Sequence, residues 1–175
     1  AGGNRRGEGQ GIGSTDMDIF KCNDDGIFKL NITDDLKLTN NVSDFSSTSI
    51  NFETFGYAFF AGGDSTRAGR PTFDSIDIFI GNDDGVFKDN HDESLKLSHK
   101  KSKLTSCALK FENTGYALFA NGQGETPTGQ TWPEYFNDVD IFKVDENGVA
   151  FSKNIELSKK IAGPTSCSLT SNDRL

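Results

Sequence analysis

The sequence predicts an all-β protein made of repeated units, and three observations support this fold class. The chain of 175 residues combines 15 Phe with 19 Gly, which is typical of short strands joined by tight turns. One phrase occurs twice, as FETFGYAFFAGG at 52–63 and as FENTGYALFANG at 111–122. Apolar and polar residues alternate in STSINF and SCALKF, which indicates strands with one buried face.

The repeat extends well beyond this phrase. The motif DIF lies at 18–20, 77–79 and 140–142, and an NDDG or DENG turn follows each copy. The segments LKL, LKL and IEL come next. Gly56 and Gly115 stand 59 positions apart, and from these glycines backwards the first two copies align without a gap. Such self-similarity indicates one supersecondary unit per repeat.

Each repeat divides into four strands. The first strand alternates, the second is a nearly continuous apolar run such as YAFFAG, and the third contains DIF. The fourth, such as GVFKD, follows a turn whose Asn, Asp and Gly residues accept the positive φ of a tight hairpin. Four antiparallel strands in about 60 residues fit one β-propeller blade. A threefold β-prism or a β-trefoil is the alternative, because repeat count and length are compatible with it.

These features together resemble kelch-type β-propeller repeats. The resemblance rests on the Gly-Gly that closes the second strand, the aromatic-rich GYAFFAGG, the variable loop after it and the DIF third strand. It spans nearly the whole chain. The repeats are longer than typical kelch blades, and LKL stands where such blades carry a Trp. The resemblance implies propeller blades that form part of a ring.

The repeats predict one domain over 1–175 that is incomplete as a ring. Its units are a partial blade at 1–44, blades at 45–103 and 104–163, and a lone first strand at 164–175. Natural proteins avoid bare sheet edges. We therefore expect the ring to be completed by a second copy in a homo-oligomer, or by further repeats of a longer chain.

The composition argues against several kinds of partner. The formal net charge is −8, whereas nucleic-acid binding requires a basic face. No stretch approaches the ~20 apolar residues needed to cross a bilayer, so no membrane insertion is expected. Asn31 and Asn41 begin the glycosylation sequons NIT and NVS, which have meaning only in a secreted eukaryotic chain.

The cysteines and acidic turns have structural explanations. Cys107 and Cys167 share a repeat position with Thr48, which favours a small packed side chain over a metal site, and Cys22 is isolated. The NDDG turns lack the alternating oxygen ligands and the distant Glu of a calcium loop. We expect no metal and no cofactor.

The repeated DIF motif predicts equivalent contacts in each copy. Its carboxylates, Asp18, Asp77 and Asp140, are interpreted as hydrogen-bond acceptors between blades, because a catalytic group is not needed three times and a buried carboxylate must be paired. The same register predicts the equivalent core residues Phe20, Phe79 and Phe142, together with Phe60 and Phe119.

No catalytic motif stands out. The only histidines, His91 and His99, lie in one charged stretch. The Gly-rich segment at 7–13 leads into a strand, whereas a phosphate-binding loop opens a helix. Copper-radical oxidases with kelch-like propellers need converging Tyr, Cys and His ligands, which this sequence does not offer. We therefore expect that the protein is not an enzyme.

The loops after the second strands differ most between the copies. They lie at 4–15, 64–75 and 123–137, and a rigid scaffold commonly carries binding residues on such loops. Aromatic side chains beside amides and carboxylates can anchor a protein partner or stack on a sugar. Trp132 could instead cap the blade core. The residues predicted to bind a ligand are Trp132, Tyr135, Phe136, Arg67, Arg70, Arg5 and Arg6.

The sequence therefore predicts a non-enzymatic binding or assembly module that recognises a protein partner through these loops. The alternative is a carbohydrate-binding adhesin or lectin of a surface or viral appendage, which would use Trp132 and Tyr135.

Overall fold

The computed structural model of the protein describes residues 15–23, 26–29, 36–65, 71–89, 94–160 and 169–170. The strands within these ranges are β1 (Phe20–Asn23), β2 (Gly26–Lys29), β3 (Ser46–Asn51), β4 (Phe55–Ala61), β5 (Ile76–Asn82), β6 (Gly85–Lys88), β7 (Thr105–Phe111), β8 (Thr114–Ala120), β9 (Asp138–Asp145), β10 (Gly148–Glu156) and β11 (Leu169–Thr170). All four strand types expected of a repeat are among them.

The strands form two four-stranded antiparallel sheets and one hairpin. Sheet I contains β3, β4, β5 and β6 in that order, and sheet II contains β7, β8, β9 and β10 in the same order. Strands β1 and β2 pair as an antiparallel hairpin, and β11 runs parallel to β7 at the edge of sheet II. The described chain is all-β, as predicted, and each sheet is built from consecutive strands.

The three hairpins between third and fourth strands share one register. The pairs are Phe20 with Lys29, Phe79 with Lys88, and Phe142 with Phe151. In the second hairpin, Oδ1 of Asn82 accepts the backbone N–H of Asp84 at 2.9 Å and that of Gly85 at 3.2 Å. The predicted hairpin turn is confirmed there, since the Asn side chain closes it locally.

The main hydrophobic core lies between the two sheets. The fully buried rings of Phe59 in β4 and Phe119 in β8 have centroids 6.5 Å apart. Ile50 of β3 covers Gly115 of β8 so closely that a Cβ at position 115 would lie 2.6 Å from Cγ2 of Ile50. The missing side chain of Gly115 therefore lets β3 pack directly on sheet II.

A second core covers the opposite face of sheet I. Phe79 of β5 packs there with Met17, Leu38 and Val42 from the first repeat. Neighbouring positions of β4 thus face different cores, because side chains alternate across a strand. Burial on both faces explains why the second strand reads as a nearly continuous apolar run.

The predicted core phenylalanines are confirmed in part. Phe79, Phe119 and Phe142 are buried, and Phe60 is half-buried against Phe79 with ring centroids 5.7 Å apart. The prediction is wrong for Phe20, whose side chain is 56% exposed. Its strand register is correct, so a register slip is not the cause. Phe79 and Phe142 pack against the repeat before their own, and no described residue takes that place for Phe20.

The Gly-Gly that closes the second strand has a conformational cause. Gly62 and Gly63 adopt φ values of 66° and 104°, and Asn121 and Gly122 repeat this geometry at 57° and 118°. Asn is the side chain that best tolerates the left-handed region. A Cβ would be crowded at both positions of the first copy, since it would overlap the backbone oxygen of Lys101 at position 62 and lie 2.8 Å from that of Ser43 at position 63. The distinction therefore lies in φ, because the values at Gly62 and Asn121 fall in the left-handed region that Asn tolerates, whereas those at Gly63 and Gly122 lie beyond it.

The Phe of the DIF motif is buried at position 142 and exposed at position 20, so Phe142→Ala and Phe20→Ala should have different effects on stability. Phe142→Ala should lower the free energy of unfolding by about 3–5 kcal/mol, because it leaves a cavity between the sheets. Phe20→Ala should change it by less than about 0.5 kcal/mol. Urea unfolding followed by far-UV circular dichroism measures both, and equal losses would contradict the described packing.

Candidate functional site

The loop of residues 121–137 projects from the end of β8 on a fixed base. The backbone N–H of Phe136 donates to the oxygen of Gly122 at 3.1 Å, and that of Gly124 donates to the oxygen of Glu134 at 2.8 Å. These bonds join the two ends of the loop to each other. The base of the loop is therefore fixed, and residues 125–133 extend from it.

Two of the predicted aromatic residues in this loop reach the surface. Trp132 is 72% exposed and Tyr135 is 36% exposed. The ring of Phe136 stacks on His99, with centroids 4.5 Å apart and an angle of 20° between the planes. Trp132 therefore does not cap the core, and its ring is available to a partner. The remaining predicted residues, Arg5, Arg6, Arg67 and Arg70, lie outside the described residues.

Adjacent loops contact each other at this end of the sheets. The backbone N–H of Thr72, in the loop after β4, donates to Oε1 of Glu125 at 3.3 Å. At the bases of the loops, the N–H of Gly63 also donates to the backbone oxygen of Lys101 at 3.0 Å. The described parts of the loops of successive repeats thus lie side by side, which permits one partner to contact both.

A buried charge cluster lies beneath this end of sheet II. Its buried members are Lys101, Asp138 and Asp140, and the exposed residues Ser98 and Asn154 border them. Nζ of Lys101 lies 2.5 Å from Oδ2 of Asp138 and 3.0 Å from Oδ2 of Asp140. Lys101 and Asp140 are fully buried. Because an unpaired charge is very costly at such a position, the lysine and the two carboxylates depend on one another.

Hydrogen bonds from neighbouring residues also support the carboxylates of the buried charge cluster. The hydroxyl of Ser98 donates to Asp138 at 2.7 Å, and its backbone N–H donates to Asp140 at 3.2 Å. The amide of Asn154 donates to Asp140 at 3.0 Å. Burial raises the pKa of Asp138, but hydrogen bonds from Lys101 and Ser98 and the charge of Lys101 outweigh it, so this pKa lies below its ordinary value.

The cluster does not have the geometry of a nucleophilic relay. Ser98 Oγ and Asp138 Oδ2 both approach Nδ1 of His99, at 3.3 and 3.6 Å. A catalytic histidine instead contacts its nucleophile and its carboxylate through different ring nitrogens. The cluster therefore fixes the junction between the segment before β7 and strands β9 and β10.

The interpretation of the DIF carboxylates is confirmed at two positions. Asp77 accepts hydrogen bonds from the backbone N–H and the hydroxyl of Thr39, at 2.9 and 2.6 Å, and so links the second repeat to the first. Asp140 accepts the N–H of Ser98 in the same way. Asp18 pairs with Lys29 of its own hairpin, and this hydrogen bond lowers the pKa of Asp18.

Sequence reasoning missed the buried lysine. Lys101 stands where the preceding repeat has Val42, and Asp138 stands where it has Ser75. The available signal was a change of charge. At each of the two aligned positions a charged residue replaces an uncharged one, and the two charges are opposite in sign. Their pairing across 37 positions of sequence depends on the tertiary fold.

The thiol of Cys107 is half-buried. Among the described residues, no group of three or more His, Cys, Asp or Glu side chains could hold a metal ion. The same part of the chain contains no helix that is long and apolar enough to cross a membrane.

Comparisons with known proteins do not assign the chain to a family. No protein-family model, curated protein or solved structure matches it. Its function is therefore inferred from the geometry.

Lys101→Ala should lower the free energy of unfolding by about 3–5 kcal/mol, because it leaves two buried carboxylates without their cation. The exposed neighbour Lys100 supplies the control, and Lys100→Ala should change stability by less than about 0.5 kcal/mol. Urea unfolding at neutral pH measures both variants. A small effect of Lys101→Ala would show that the buried charge cluster does not stabilise the fold.

Asp138 also predicts an acid dependence of stability. Because its folded pKa is lowered from 3.8, its contribution is present above that value and is lost as the pH falls through the folded pKa. Asp138→Asn should therefore be less stable than the native chain at pH 6, and the difference should shrink towards about pH 2. Unfolding curves across this range test it, and a difference that does not depend on pH would contradict it.

Proposed function

We propose that sheets I and II are successive blades of a kelch-like β-propeller and that the chain is a non-enzymatic binding module for a protein partner. Both sheets have the same strand order and the same hairpin register. Their loops are anchored by equivalent bonds, from Phe73 to Gly63 at 3.0 Å and from Phe136 to Gly122 at 3.1 Å. This equivalence supports adjacent blades that carry their variable loops at one end.

The exposed ring of Trp132 carries the proposal. A large apolar side chain at 72% exposure gains binding energy when a partner buries it. Trp and Tyr are enriched among the residues that dominate protein interfaces. The anchored base of the 121–137 loop limits the entropy that is lost when a partner orders the loop.

The negative charge of the loop and of the whole chain indicates which groups a partner would offer. Glu125 and Glu134 are exposed in the same loop as Trp132, and the whole chain has a formal charge of −8. Complementary charges favour association and raise its rate. We therefore expect a partner that offers an apolar pocket for the indole ring beside basic groups.

A carbohydrate ligand is the second candidate. Exposed Trp132 and Tyr135 could stack on sugar rings, and exposed Gln130 and Glu134 could hydrogen-bond to sugar hydroxyls. Both candidate functions use the same loop and depend on Trp132. They differ in the class of ligand, which is a protein in the first and a carbohydrate in the second.

Trp132→Ala should weaken partner binding at least about tenfold, as expected for a central aromatic anchor. Phe111→Ala is the matched control, because Phe111 is 51% exposed but lies in the β7–β8 hairpin at the other end of the strands. Calorimetric titration with a partner purified by affinity capture and a glycan array on both variants provide the measurements.

Sugar binding that is lost only in Trp132→Ala would favour the carbohydrate candidate. Unchanged binding of Trp132→Ala to every ligand found, or an equal loss in Phe111→Ala, would contradict a role for this loop.

A further inference from the structure

A groove of about 620 Å³ opens on the face of sheet I that also carries Phe79. Its floor includes Gly56, Ala58 and Gly81, and the segment 17–20 forms one side. We call it the docking groove. None of its lining residues belongs to the 121–137 loop, so this site is distinct from the binding surface proposed above.

The internal repeat indicates what such a groove accommodates. Gly56 is equivalent to Gly115 of sheet II, and Gly115 is covered by Ile50 from the first strand of the preceding sheet. Among the described residues, the three atoms nearest to a Cβ at position 56 belong to Asn51 and Ile50 of its own sheet. For a Cβ at Gly81, the nearest atom of the described residues lies in Val86, at 4.0 Å. The docking groove is therefore equivalent to the place of a first strand, and none of the described strands covers it as β3 covers Gly115.

A polar contact of the covered junction supports the same conclusion. In the covered junction, Ser106 Oγ donates to the backbone oxygen of Ser47 at 2.6 Å, and Ser46 Oγ donates to Ser106 Oγ at 2.8 Å. Ser106 is 6% exposed. Ser47 is its equivalent on sheet I and is exposed. The hydroxyl of Ser47 would therefore donate a hydrogen bond to the backbone of an incoming strand, as Ser106 does in the covered junction.

We infer that the docking groove binds the first-strand segment 165–170 of a second copy of this chain. This segment reads TSCSLT and shares four of six residues with TSCALK at 105–110. Leu169 is equivalent to Ile50 and would lie over Gly56. Within the described chain, Leu169 and Thr170 pair with β7, and this pairing would be exchanged for contacts with the partner.

Two chains carry complementary surfaces, a groove on one and a strand segment on the other. Association is therefore head-to-tail and uses different surfaces of the two copies, as in heterologous interfaces. An apolar side chain over a glycine floor and a serine hydroxyl that donates to the backbone of the strand would give the affinity, as they do in the covered junction.

Sedimentation velocity of the full chain over a range of concentrations tests the inference. The native chain should self-associate. Gly81→Glu places a charge on the groove floor, where the folded chain has room for it, and should weaken association by roughly tenfold or more. Gly81→Val is the matched control and should associate as the native chain does, because Val144 occupies the equivalent position in the covered junction.

Leu169→Asp tests the segment from the other side and should weaken self-association to a similar extent. An equal mixture of Gly81→Glu and Leu169→Asp should form a heterodimer, since one chain retains the strand and the other retains the groove. A native chain that stays monomeric, a Gly81→Glu chain that associates normally, or a mixture that does not associate would overturn the inference.

Discussion

The contact between Ile50 and Gly115 determines how the two sheets can pack. An ideal side chain at position 115 would overlap Ile50, so the absence of a side chain sets the distance between β3 and sheet II. At this distance, Phe59 and Phe119 fill the space beside the contact. Because interiors pack closely, a change at this one point would propagate to the rest of the core.

Successive repeats use the same backbone plan with different junctions. The carboxylate of the DIF motif accepts a hydrogen bond from the preceding repeat in both sheets, from Thr39 to Asp77 and from Ser98 to Asp140. The residue three positions after that donor differs, since the first junction places Val42 in an apolar core and the second places Lys101 between two carboxylates. The junctions are therefore similar in shape and different in chemistry, which favours one order of repeats over another.

Local sequence signals predicted strands and turns well, because each depends on a few neighbouring residues. The Asn82 turn and the alternation of β3 are examples. The exposure of Phe20 could not be read from its motif, since burial depends on whether another sheet covers that face. The buried charge cluster was missed for a similar reason, because Lys101 reads as one of several lysines until the fold brings it to Asp138. In the 121–137 loop, aromatic composition identified Trp132 as a candidate, and only the structure placed its ring at the surface.

The packing of one repeat on the next is the central claim, and NMR measures it directly. In the native chain with labelled isoleucine methyl groups, nuclear Overhauser effects should connect the methyl groups of Ile50 with the Hα protons of Gly115. Methyl signals of Ile50 that show contacts only within sheet I would contradict the account, because β3 would then not lie on sheet II.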